Sequence, residues 1–160
     1  MVRTGSAEVG LLGTHPQFIH EFDFVALAHP GYHLLVPLEN PLSQRSHLEL
    51  TDLDGQPLVT LGKKNHLHRF FLAECEREGI RPDILIETSE SVLRDKYCQE
   101  VAALAFACSP KSTRPNVPTV CLPLCMRGAQ QFGTYAIRRR GAGMSIAGQR
   151  FWACMEEDAV

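Results

Sequence analysis

At 160 residues the chain is long enough for one medium domain or two small lobes with a real core. Its composition, 44 % hydrophobic and 21 % charged, excludes global disorder. A net charge of −2 offers no basic field for a phosphate backbone, and no run approaches the roughly 18 apolar residues of a membrane helix, so nucleic-acid binding by these residues and membrane insertion both fall away.

Apolar runs of strand length alternate with segments of helical period, the pattern of an α/β fold. Residues 8–13 read as a buried strand ending at Thr14-His15-Pro16. Residues 24–28 form a second strand, broken by His29-Pro30-Gly31. Residues 32–36 form a third, closed by Pro37. Asn40-Pro41-Leu42 opens a polar connection, and Leu50-Thr51-Asp52-Leu53 suits one short helical turn. Residues 57–61 are the next strand, with Gly62-Lys63-Lys64 as its exit loop. A helix follows from about Asn65, with Leu67, Phe70, Phe71 and Cys75 near one face and Gly79 as its left-handed cap.

Residues 83–87 are again strand. Ser89 suits the cap of a helix running to about Glu100, with Glu90 near its positive end. A strand over 104–108 stops at Ser109-Pro110, and 111–118 read as a proline-containing loop. Residues 120–124 and 132–138 give two more strands. Ser145 then caps a terminal amphipathic helix to about Asp158 that is expected to bury Phe151 and Met155. The run Arg138-Arg139-Arg140 reads as a solvated strand end.

Cys75, Cys98, Cys108, Cys121, Cys125 and Cys154 are scattered through apolar stretches without a CxxC pair. That pattern fits reduced, buried thiols in the cytoplasm rather than a disulfide framework. The opening Met1-Val2-Arg3-Thr4-Gly5 lacks the apolar core of a signal peptide, in keeping with a cytoplasmic protein.

Several stretches, taken in order, resemble the effector-binding domain of LysR-type transcription regulators. Gly5-Ser6-Ala7-Glu8-Val9-Gly10-Leu11 is similar to that family's "G-x-x-D-x-x-I" opening, with Glu8 where Asp is usual. Leu34-Leu35-Val36-Pro37-Leu38-Glu39-Asn40-Pro41-Leu42 resembles its crossover strand. Leu50-Thr51-Asp52-Leu53 with Pro57-Leu58-Val59 resembles its "L-x-D-L…P-l-I" passage. Glu78-Gly79-Ile80-Arg81-Pro82 resembles its "a-G-x-x-P" helix exit, and Ser145-Ile146-Ala147 before Phe151 its final helix. The resemblance implies two Rossmann-like lobes of the type II periplasmic-binding-protein kind. Residues 1–36 and about 119–160 would form an incomplete first lobe, and about 37–118 the second. It also implies a small-molecule effector, a homodimer or higher homo-oligomer, and DNA contact only through a module these residues do not include. One departure concerns the family's "G-l-G" turn. Ala103 and Ala105 stand where glycines are usual, so any positive φ there would be strained.

Ligands of such lobes bind at the carboxyl ends of strands, near helix N-termini that favour anions. The first candidate is therefore the exit of the 57–61 strand: Thr60, Gly62, Lys63, Lys64, Asn65 and His66, suited to a carboxylate or oxyanion. The alternative is an ordinary capped helix with solvated lysines. Thr14 and His15 form a second candidate patch or a simple polar strand end. Ser89, beside Thr88 and Glu90, borders the cleft or merely caps its helix.

His66 and His68 splay by about 200° on a helix, so a shared metal is not expected, nor is a cofactor, since phosphate-loop and nucleophile-elbow patterns are absent. The leading expectation is a ligand sensor rather than an enzyme. A truncated dimerisation or interaction module without ligand, and a Cys-dependent enzyme, stand as alternatives.

Overall fold

The computed structural model describes residues 1–107, 117–128 and 131–160. The carboxyl end of the 104–108 strand and most of the 111–118 loop lie outside the described residues, as does Cys108. The chain divides into two compact units, residues 1–30 with 130–160 and residues 31–129.

The larger unit is a six-stranded sheet in the order β4-β8-β3-β7-β5-β6. Its strands are β3 (His33–Pro37), β4 (Leu48–Glu49), β5 (Pro57–Thr60), β6 (Asp83–Glu87), β7 (Leu104–Ala107) and β8 (Thr119–Cys125). All four residues of β7 are buried, as is Leu34-Leu35-Val36 of β3. Such unbroken apolar runs are what a strand covered on both faces requires. β5 runs parallel to β6 and β7, joined by helices α1 (His66–Glu78) and α2 (Ser91–Glu100), whereas β3 runs antiparallel to β7 and β8. Alternate side chains of β7 point to opposite faces. Phe106 meets Phe71 of α1 edge to face at 4.8 Å, while Ala105 and Ala107 cluster with Cys98 of α2. The two helices therefore cover opposite faces.

The α1 face that the spacing indicates is buried, and His68 joins it at 2 % exposure. Gly79 adopts φ 71° as the left-handed cap. β4 is only two residues long and carries no periodicity of its own, so the sequence did not reveal it. Ser89 does not cap α2. The helix begins at Ser91 after Glu90, whose backbone N–H donates to Thr88 Oγ1 at 3.0 Å, so the turn is closed one residue earlier than expected.

The smaller unit is an antiparallel sheet in the order β1-β9-β2, from β1 (Val9–Thr14), β2 (Phe22–Ala28) and β9 (Gly133–Arg139), together with helix α3 (Ile146–Glu157). Val2, Ile19, Phe22, Tyr135 and Ile137 form its core cluster. Ser145 caps α3, its Oγ accepting from Gly148 N at 3.1 Å, and Glu8 in turn accepts from Ser145 Oγ at 2.7 Å. The helical phase differs from expectation by one residue. Trp152 is buried beneath the Arg138 guanidinium, 4.6 Å from its ring, while Phe151 is exposed and Met155 only half-buried.

β3 and β8, expected with the N-terminal lobe, pair within the six-stranded sheet and belong to the larger unit. Strand partnership is a long-range choice that the local pattern of 32–36 and 120–124 does not encode. The thiols also differ from expectation. Cys75 and Cys98 are buried, but Cys121 is intermediate and Cys125 and Cys154 are exposed. Among the described residues no helix is long and apolar enough to cross a membrane.

Backbone strain sits beside the expected alanines, not on them. Ala103 and Ala105 are buried, and Ala102, just past the end of α2, carries φ 51°. A left-handed alanine costs about 1–2 kcal/mol. Ala102→Gly should accordingly raise stability by about 0.5–1 kcal/mol after the extra freedom of glycine in the unfolded chain is counted. Urea midpoints at constant slope would measure the gain; an unchanged or lowered midpoint would show that Ala102 is not strained.

Candidate functional site

The exit of β5 turns sharply because Gly62 O accepts from Asn65 N at 2.8 Å, which brings Lys63 and Lys64 to the tip of the turn. Asn65 is the N-cap of α1, with extended backbone and Oδ1 accepting from Leu67 N at 2.8 Å. The 13-residue helix thus starts directly behind the two ammonium groups, with its positive end toward them. Thr88 N donates to Thr60 O at 2.8 Å and ties the end of β6 to the end of β5, which carries Ser89 to the same opening. Gly62, Lys63, Lys64, Asn65 and Ser89 line an open depression of about 570 Å³. A Cβ added at Gly62 would stand 3.7 Å from Ser89 Oγ, so the two walls are close neighbours.

Lys63 is well exposed, and its Nζ lies 3.8 Å from Glu87 Oε1, a loose solvent-screened pair that leaves the ammonium able to reorient. Behind the opening, Thr60 is 1 % exposed and its Oγ1 pairs with His68 Nδ1 at 3.0 Å. Burial pushes the His68 pKa down; Glu87 opposes the shift and Lys63 adds to it. Partial burial and the charge of Arg69 likewise lower His66, which opens α1 half-buried. The positive charge at this mouth therefore belongs to the lysines and the helix end, not to imidazolium.

Of the expected residues, Gly62, Lys63, Lys64, Asn65 and Ser89 share one surface, with Thr60 buried beneath it and His66 beside it. Thr14 and His15 belong to the other unit. Thr14 is fully buried, and His15 Nδ1 accepts from Gln17 N at 3.3 Å to cap the 3-10 turn Pro16–Phe18.

Two groupings escape sequence reasoning. Arg94 and Asp95 form a buried ion pair at 2.8 Å in α2, with Arg94 Nη1 also donating to Phe106 O at 3.4 Å. The donor atoms of His47, Glu49 and Cys125 all lie within 4.8 Å of one another. The first had no signal beyond its two adjacent charges. The second had only the His-x-Glu alternation, because its cysteine is supplied by a distant strand.

A family model described as LysR substrate binding domain matches residues 1–159. The HTH-type transcriptional regulator AlsR of Bacillus subtilis (strain 168) is 29 % identical over 89 residues, spanning 54 % of this chain and 29 % of that protein. The chain therefore matches less than a third of that relative's length. Among solved structures, the regulatory domain of Synechocystis PCC6803 CcmR in complex with 2-PG superposes with a TM-score of 0.80 at 10 % identity, covering 99 % of this chain and 76 % of that one. The effector binding domain of QuiR in complex with shikimate gives 0.81 at 11 % identity, covering 99 % and 74 %. At these identities the likeness is one of fold: the mixed α/β architecture of the type II periplasmic-binding-protein kind.

Proposed function

The chain belongs to the LysR substrate-binding-domain family, and from that premise we propose that it senses a small anionic effector at the mouth of α1 to control transcription. The observation that carries the reading is the open depression in which Lys63, Lys64 and Ser89 converge on the N-terminus of a 13-residue helix. Oriented backbone N–H groups, two ammonium groups and a hydroxyl suit a carboxylate or an inorganic oxyanion. Structural neighbours held in complex with 2-PG and with shikimate support effector binding as the use of this fold.

Thr60 and His66 support this surface from beneath and beside it, while Thr14 and His15 stand as a separate candidate patch of the smaller unit. In a full-length regulator the signal would pass through a homodimer or larger homo-oligomer to a DNA-binding module, in the cytoplasm. Four of the six thiols speak for a sensor over a Cys-dependent enzyme. Burial pushes Cys75 up to about 12 and Cys98 up to about 11, and Cys121 and Cys125 are raised as well, the opposite of an activated nucleophile.

Calorimetric titration with sulfate and a panel of small carboxylates, at fixed ionic strength, tests the reading. At least one should bind saturably, and Lys63→Gln/Lys64→Gln should weaken it roughly tenfold or more, the scale of losing a charge-assisted hydrogen bond of about 1.5–3 kcal/mol. Equal affinity in the double variant would refute the site.

A further inference from the structure

The structure carries a second grouping of ligand-type side chains, at the opposite edge of the same sheet from β6. We propose that His47, Glu49 and Cys125 form a binding site for a divalent, thiophilic metal ion of the zinc class. The register of two strands creates it. β4 runs parallel to β8 with Leu48 opposite Leu124 and Glu49 opposite Cys125. Leu48 and Leu124 are both buried, at 0 % and 2 % exposure, and fix the inward face. Their neighbours Glu49 and Cys125 must then point outward together, and His47, two residues before Glu49, lies on that outer side. A slip of one residue would bury the carboxylate and disperse the trio, so the core that seats Leu48 also holds the three donors in place.

The distances are near those of a bound ion. His47 Nε2 stands 3.3 Å from Glu49 Oε1, and all three donor atoms lie within 4.8 Å of one another. Metal–ligand bonds of about 2.0–2.3 Å in a tetrahedron place donor atoms about 3.3–3.8 Å apart, so closure needs only small rotations of exposed side chains. An imidazole, a carboxylate and a thiolate together are a zinc donor set. Calcium and magnesium prefer oxygen alone.

A depression of about 290 Å³, lined in part by Glu49, Thr51, Glu78 and Cys125, adjoins the trio and leaves room for water as the fourth ligand. Arg77 and Arg127 border it too. The Arg77 guanidinium is held by Glu74 at 2.6 Å and Glu78 at 2.7 Å, which offsets its charge toward a cation, while Arg127 stands as the one opposing charge among the lining residues. On binding, the Cys125 thiol releases its proton to solvent, and the metal–sulfur bond takes its place.

Chelator-treated, phosphine-reduced protein titrated with Co²⁺ tests the site. One equivalent should bind with a near-ultraviolet thiolate-to-cobalt charge-transfer band that Zn²⁺ then bleaches. Cys125→Ser should abolish the band, and both Cys125→Ser and His47→Ala should weaken Zn²⁺ by at least the roughly tenfold that even outer-shell changes cost. Cys154→Ser, which removes the other exposed thiol among the described residues, should change neither. Far-UV circular dichroism would confirm that each variant is folded; the substituted side chains are exposed. No band, a band that survives in Cys125→Ser, or unchanged Zn²⁺ affinity in His47→Ala would each overturn the proposal.

Discussion

Phe71→Ala is expected to destabilise the larger unit by about 3–5 kcal/mol, a large share of the 5–15 kcal/mol that holds a typical domain together. Phe71 is fully buried and meets Phe106 edge to face at 4.8 Å, with the ring planes at 75°. Truncation removes the apolar area of a phenyl group and the aromatic pairing together. It also leaves a cavity between α1 and a strand whose four residues are all buried, where the surroundings have little freedom to collapse. Urea unfolding followed by far-UV circular dichroism measures the loss. A change under about 1 kcal/mol would mean that α1 is not seated on the sheet through this ring.

The second large effect lies in the smaller unit, at Gly133. A Cβ there would stand 2.3 Å from the Ala28 carbonyl oxygen and 2.7 Å from His29 Nδ1. The first obstacle is backbone at the irregular stretch of the β2–β9 ladder between Ala26 and Ala28, so no rotamer change can relieve it. Gly133→Ala should therefore cost about 3 kcal/mol, the upper part of the overpacking range. Trp152 is the only tryptophan, buried on α3 in the same unit, so its emission reports this transition directly. Gly143→Ala, which meets nothing within 4 Å, is the matched control and should be close to neutral. Equal midpoints for the two variants would show that the close approach at Gly133 is not there.

Most local signals in the amino-acid sequence correspond to features that are themselves local, the cap expected at Ser89 being the exception. Asn65 before an apolar period, Gly79 after it and Ser145 before the last helix each mark a cap, because a cap is a bond to a residue two or three positions away. The loop Gly62-Lys63-Lys64-Asn65 was legible for the same reason: glycine, two lysines and a capping asparagine follow a strand in direct succession.

Features that depend on pairing at a distance were not legible. Nothing within 32–36 states that β3 sits between β7 and β8, nor does Glu49 announce that Cys125 will lie opposite it. Nothing local to His68 states that α1, once seated, turns it toward Thr60. Trp152 and Phe151 differ by 100° of helical rotation, finer than an apolar stripe resolves when both residues are aromatic.

The proposed function requires a small anion docked at the N-terminus of α1. The most direct measurement is a ¹⁵N–¹H correlation spectrum of the assigned domain, titrated with the tightest-binding anion of the panel. Saturable shifts are expected to concentrate on the backbone amides of residues 62–68 and Ser89, with smaller changes around Thr60. Saturable shifts that leave those amides in place, or that fall on Thr14 and His15 alone, would contradict it.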